Sequence, residues 1–182
     1  MKSICIFLAT GFEEVEALFP LDILRRGGVD VKTVSVTGDK LVVGAHGIPV
    51  GADVLFDDLK PEEVEMIVLP GGLPGAINLD EHAGLDKLIM DFAAAKKPLA
   101  AICASPFVYG RRGLLKGLKA TCYPGFDNYL EGAEYTANKV EVAENFITGK
   151  GPGAAWEFGF AILEKYAGAE KVAEVRGGML ID

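Results

Sequence analysis

The chain has 182 residues, enough for one domain that buries most of its apolar surface without disulfides or metals. Half of the residues are hydrophobic and 24% are charged, with 26 acids against 18 bases, a net charge of −8 and a pI near 4.8. No basic run exceeds Lys96-Lys97 or Arg111-Arg112, which argues against a nucleic acid partner.

The N-terminal "MKSICIFLATGFEE" contains a short apolar run followed at once by acids, so neither a signal peptide nor a membrane span is expected. "SICIFLA" reads as a buried strand, and "EEVEALFPLDILRRGG" as a helix that Pro20 should kink or break. "DVKTVSV" is a second strand, and "KLVVGAHGIPVGADVLF" alternates in short pieces with turn residues, as a small added hairpin does. "MIVLPGG" is a strand ending on two glycines, and "NLDEHAGLDKLIMDFAAAKK" carries apolar residues at helical spacing. "LAAIC" is a strand too short for a helix, "LKATCY" a further strand, and "EYTANKVEVAENFITG" a second hairpin region. "AAWEFGFAILEKYAG" closes the chain with a helix. This βαβ alternation predicts a single domain over residues 1–182, doubly wound, with a mostly parallel sheet and helices on both faces.

Ligands of such sheets bind at the carboxyl ends of the strands, so four ends matter: "LATGFEEVE", "LPGGLPGA", "AICASP" and "ITGKGPGAAWEF". The last is not a dinucleotide loop, because Pro152 removes an amide from the phosphate nest, the run lies too near the C-terminus to be followed by another βα unit, and no strand carries the expected acid about 20 residues on. It reads instead as a glycine-rich turn beside the site. In "PLAAICASPFVYG", Cys103 falls between a strand and a helix for which Ser105 is the expected N-cap and Pro106 the first residue. The small neighbours Ala101 and Ser105 suit a nucleophile elbow with cysteine in the serine's place. The same stretch equally suits a cysteine that fills the top of the sheet. Gly71 and Gly72 can supply oxyanion amides or merely a tight turn. Cys5 and Cys122 read as packing residues. Three cysteines without a C-x-x-C give no disulfide framework and no zinc site, so reduced thiols and a cytoplasmic location are expected.

"LATGFEEVEALFPLDILRRGG", "IVLPGGLPGAINL", "AAICASP" and "GKGPGAAWEF", in that order, together resemble the ThiJ/PfpI family of the class I glutamine amidotransferase-like superfamily. The similarity is greatest to the branch of the parkinsonism-associated deglycase-like protein. The resemblance implies a flavodoxin-like fold, a homodimer, a reactive Cys103, a protonated Glu16 against its sulfur, and an anion pocket from the amides of Gly72 and Ala104. Glu16 is also describable as an acid in a helix's first turn, which Glu13 and Glu14 are too. Ala104 stands where the family's proteases carry a His, which disfavours a peptidase. Tyr123 stands where the parkinsonism-associated members carry a His, and a phenol does not exchange protons at neutral pH as an imidazole does. Of the two histidines, His82 reads as a solvated helix residue, and His46 lies on a segment that the resemblance puts near the dimer interface and the partner's site. The implied activity is a glyoxalase or deglycase acting on small 2-oxoaldehydes such as methylglyoxal, or on their adducts, without cofactor or metal. The alternatives are a redox sensor or holdase chaperone with an oxidisable Cys103 and, more weakly, an intracellular cysteine peptidase.

Overall fold

A computed structural model describes residues 2–181. In chain order it runs β1 (Ser3–Leu8), α1 (Glu14–Arg26), β2 (Val31–Ser35), β3 (Leu41–Val43), β4 (Pro49–Gly51), β5 (Val54–Leu55), β6 (Val64–Leu69), α2 (Gly75–Glu81) and α3 (Ala83–Ala94). It continues through β7 (Leu99–Ile102), α4 (Pro106–Gly110), β8 (Lys119–Ala120), β9 (Glu134–Tyr135), β10 (Val140–Ala143), β11 (Phe146–Gly149) and α5 (Ala155–Gly178). Seven strands form the central sheet in the order β10-β11-β7-β6-β1-β2-β5, parallel except where β10 meets β11. The chain grows from β1 toward β2 and β5, then returns to build β6, β7 and β11 on the other side. The strand order therefore reverses between β1 and β6, and this doubly wound, flavodoxin-like sheet opens its ligand crevice at their carboxyl ends.

Strand β1 is buried on both faces, as a parallel strand between helical layers must be. Cys5 and Phe7 pack with Leu79, Leu85, Ile89 and Phe92 of α2 and α3 and with Phe107 of α4, whereas Ile4, Ile6 and Leu8 pack with Ile23 and Leu24 of α1 and Phe158 of α5. Two separate cores thus flank the sheet. Among the described residues no helix is long and apolar enough to cross a membrane.

Four local expectations are corrected. Helix α1 runs unbroken through Pro20, whose Cα lies 3.0 Å from where a Cβ on Gly159 of α5 would sit. Burial against α5 offsets the hydrogen bond that proline cannot donate. The apolar stretch after residue 75 is two helices, because His82 ends α2 and caps α3, its Nδ1 accepting the amide of Leu85 at 3.0 Å. His82 is half-buried and packs edge-on against Phe56 with ring centroids 4.5 Å apart, so it is not a solvated helix residue. "LKATCY" yields only β8, which pairs with β9 outside the main sheet. The stretch expected as the closing helix ends at Gly168, and there α5 does change direction, with φ 80°, a region open to glycine.

Candidate active site at the β7 elbow

The backbone of Cys103 has φ 66°, a left-handed conformation that costs a non-glycine residue roughly 1–3 kcal/mol and persists only where the surroundings impose it. Those surroundings are explicit. The Cys103 amide donates to the Gly149 carbonyl at 2.9 Å, and the Cys103 carbonyl accepts from the Tyr123 amide at 2.8 Å. Ser105 follows on the turn, but its hydroxyl does not cap α4. It donates instead to the Pro70 carbonyl at 2.6 Å, tying the elbow to the end of β6. Beyond α4, buried Asp80 pairs with Arg111 and with Arg112, which anchors the far side of the turn to α2.

Glu16 lies in the first turn of α1 and is fully buried. Its Oε2 accepts the Gly71 amide at 2.9 Å, while Oε1 is buried without a hydrogen-bond partner. The Cys103 thiol acts on the same carboxyl and favours its charged form. Burial pushes the Glu16 carboxyl up to about 7, the nearby Glu13 charge adds to this, and Cys103 and the Gly71 amide act the other way. Only glycine fits between the two functional groups: a Cβ on Gly71 would lie 2.6 Å from Cys103 Cβ and 2.7 Å from Glu16 Oε2. The expected pair of oxyanion amides is therefore divided, with Gly71 serving Glu16 and Gly72 facing the sulfur. Gly72 has φ 86°, and a Cβ there would meet the Glu13 backbone nitrogen at 2.4 Å.

The backbone amides of Gly72 and Ala104 act on the Cys103 sulfur so as to favour its charge. Burial and the charge of Glu16 nevertheless push the thiol upward, so Cys103 is not the exposed, freely ionised thiol that an elbow on a helix end predicts. It is 8% exposed, against 1% for Cys5 and 0% for Cys122, whose thiols burial pushes up to about 12. Sulfur and carboxyl are a coupled pair in low dielectric, where one negative charge is tolerated and two are not. With the proton on Glu16, the carboxyl becomes a donor to the sulfur and its repulsion vanishes.

The model of the DJ-1/PfpI family matches residues 2–165. The chain belongs to the DJ-1/PfpI family. Protein DJ-1 homolog B of Arabidopsis thaliana is 38% identical over 182 residues, which covers 99% of this chain; the chain spans only 42% of that relative's length. Deglycase PfpI of Pyrococcus furiosus is 34% identical over 162 residues, covering 86% of this chain and 96% of the relative. Oxidized Toxoplasma gondii DJ-1 superposes with a TM-score of 0.93 at 32% identity, over 99% of this chain and 98% of that structure.

Within this family frame, the remaining candidates separate. Tyr123 is 48% exposed and, with Pro124, Lys139, Lys150 and the turn 151–154, lines a cavity of about 330 Å³. The glycine-rich turn is packed beside the elbow as expected, since a Cβ on Gly151 would stand 3.2 Å from the Tyr123 ring. His46, on the β3–β4 turn, is bound to Glu14 and not to Cys103. Its Nδ1 lies 2.8 Å from Glu14 Oε2, and its amide donates to Glu14 Oε1 at 2.9 Å. Bonding to Glu14 and the charge of Glu13 raise the His46 imidazole above its ordinary value. Glu13, Glu14 and His46 offer three ligand atoms within 4.8 Å of one another, but Glu14 already accepts the amides of His46 and Ile48 and serves as the anchor of the hairpin. Sequence reasoning missed Glu14 and Lys150. The signal for Lys150 was its place at a strand end, in "FITGK".

Proposed function

We propose that this protein is a cysteine-dependent enzyme of the glyoxalase or deglycase type that acts on 2-oxoaldehydes such as methylglyoxal, or on their adducts, without a cofactor. The observation that carries this reading is the pairing of Cys103, held at φ 66° on the elbow, with a buried Glu16 carboxyl pushed up to about 7. Relatives named as deglycases support it.

In the proposed reaction the Cys103 sulfur adds to the aldehyde carbon, and the proton shared with Glu16 passes to the new alkoxide, giving a hemithioacetal. The amides of Gly72 and Ala104 hold the negative charge before and during the attack. Glu16, now a carboxylate, takes the hydrogen of the former aldehyde carbon as a proton and returns it to the adjacent keto carbon. The hydroxyl proton of the first carbon passes to the keto oxygen of the second, so the first carbon is oxidised to a thioester as the second is reduced to an alcohol, and no external redox partner enters. Water then cleaves the carbon–sulfur bond, releasing lactate and restoring the thiol. Methylglyoxal plus water equals lactate, and the atoms balance. With an adduct on an amine, the same sulfur attack expels the amine.

The test is enzymatic lactate from methylglyoxal, compared with Cys103→Ser. Lactate with the native protein and none with the variant is expected, and no lactate above buffer from the native protein overturns the reading. Release of free amine from a methylglyoxal adduct of N-acetyllysine then separates deglycase from glyoxalase.

A second reading, a redox sensor or holdase in which Cys103 is oxidised to a sulfinate, is favoured by one observation. Cys103 is the least buried of three free thiols, with two amides and a protonatable acid placed to hold oxygens on its sulfur. A relative described as oxidized has the same fold. Peroxide treatment that adds two oxygens to Cys103 alone, in a protein that makes no lactate, selects this reading. Ala104 in place of a His leaves a peptidase the weakest of the three.

We also propose a homodimer. Val15, Phe19 and Ile48 are exposed apolar residues that line, with Leu18 and Met179, a hollow of about 350 Å³ on α1 beside the β3–β4 turn. An interface there puts His46 at its edge. A cytoplasmic location suits three thiols with no disulfide among them.

A further inference from the structure

The chain carries 26 acids and 18 bases, yet the residue that follows the last β11 position paired with β7 is a lysine. Strand β11 runs parallel to β7 with Gly149 opposite Ile102, so Lys150 follows alongside Cys103, one strand spacing away, roughly 4.8 Å between backbones. The backbone fixes this placement: the Cys103 amide donates to Gly149 at 2.9 Å and the Lys150 amide to Lys139 at 2.9 Å. Lys150 is half-buried, lines the 330 Å³ cavity, and has no ion pair or hydrogen bond from its ammonium among the described residues. The second lysine of that cavity differs. Lys139 is neutralised by Glu157 and lies over the Trp156 ring, 5.5 Å from its centroid. The Cys103 thiol is moved by burial, by Glu16 and by the backbone of Gly72 and Ala104, so the Lys150 ammonium does not act on the sulfur itself.

A half-buried, unpaired ammonium whose backbone lies one strand over from that of Cys103, in a cavity otherwise walled by the paired Lys139, a phenol, prolines, glycines and an alanine, is a ready receptor for an anion. We propose that Lys150 binds an anionic group, carboxylate or phosphate, on the molecule that Cys103 attacks, so that the preferred substrates are 2-oxoaldehydes carrying an acidic tail rather than methylglyoxal itself. An ammonium acts as a point charge, and both anions satisfy it. The inference deepens the proposed carbonyl chemistry of Cys103 and rests on it for the identity of the substrate, but not for the existence of the anion site.

Two measurements keep these apart. In the first, Cys103 alkylation by iodoacetate and by iodoacetamide is followed by mass spectrometry, and the rate ratio is compared with that of glutathione. The native protein should favour the anionic reagent by about tenfold relative to glutathione. Lys150→Met should return the ratio to that of glutathione, Lys150→Arg should keep it, and Lys139→Met should keep it. An unchanged ratio in Lys150→Met overturns the proposal. In the second, kcat/KM is measured for 4,5-dioxopentanoate and its methyl ester. An acid preference of about tenfold or more that collapses toward unity in Lys150→Met supports the subsite. Turnover of both compounds with no preference removes the subsite and leaves the carbonyl chemistry standing. Turnover of neither, with an alkylation preference that depends on Lys150, removes the carbonyl chemistry and leaves the anion site.

Discussion

Glu14 and Glu16 stand two residues apart in the first turn of one helix, and both are buried, yet their carboxyls move in opposite directions. Burial acts to raise both. At Glu14 it is outweighed by the His46 ring and by amides, including those of His46 and Ile48, so that carboxyl falls below its ordinary value. At Glu16 one amide, from Gly71, and a thiol are not enough, and the carboxyl rises to about 7. The supply of donors, and not depth, decides which acid is an anchor and which can hold a proton at neutral pH. Two acids of one helix turn are separated by what each faces.

The largest effect expected from breaking this contrast is on turnover. Glu16→Leu, which removes both the proton and the donor, should cut lactate formation from methylglyoxal by about a thousandfold. Glu16→Gln, which still donates but cannot shuttle a proton, should lose turnover while keeping a lower thiol pKa than Glu16→Leu, read by thiolate absorbance near 240 nm. Equal titrations in native protein and Glu16→Leu would show that the carboxyl does not act on the sulfur.

Next comes stability. A carboxyl whose folded pKa is raised keeps its proton longer in the folded state than in the unfolded one, so stability declines as pH rises from about 4.5 through about 7. The decline corresponds to roughly 3 kcal/mol, and Glu16→Gln should abolish it, leaving the variant more stable than the native protein at pH 8 in urea unfolding. A native protein equally stable at pH 5 and pH 8, with Glu16→Gln matching it at both, would contradict a buried proton.

Glu14 should behave in reverse. Its lowered carboxyl contributes stability that is present above its unfolded pKa and lost as pH falls through the folded one. Glu14→Gln should cost about 1–3 kcal/mol at pH 7, because the amides of the β3–β4 turn lose a charged acceptor. The smallest effect is spectroscopic: His46 should titrate above its ordinary value by NMR and return toward it in Glu14→Gln. A His46 titration indifferent to Glu14 would dissolve the anchor.

Residues 99–106 were legible because their constraints act over a few positions. Four apolar residues make a strand, Pro106 suits the first turn of a helix, and small neighbours permit the turn between. The βαβ alternation, the glycine turn at 151–154 and the packing of Cys5 and Cys122 were readable for the same reason. Where local chemistry offered several equal choices, the readings failed. Ser105 had the composition of a cap but found a better acceptor in Pro70, and His82 had the composition of a surface residue but caps α3.

By itself, the sequence determined the βαβ alternation, the open parallel sheet and the presence of a thiol at a strand end, since apolar period and turn chemistry are properties of neighbours along the chain. Composition could not rank Glu13, Glu14 and Glu16, three acids at one helix start. That choice belongs to the tertiary structure, which carries Gly71 and Cys103 to one carboxyl and the β3–β4 turn to another. Likewise, nothing near Lys150 in sequence names Cys103 as its neighbour. Parallel pairing of β7 with β11 does so, because hydrogen-bond register joins residues that the chain keeps far apart.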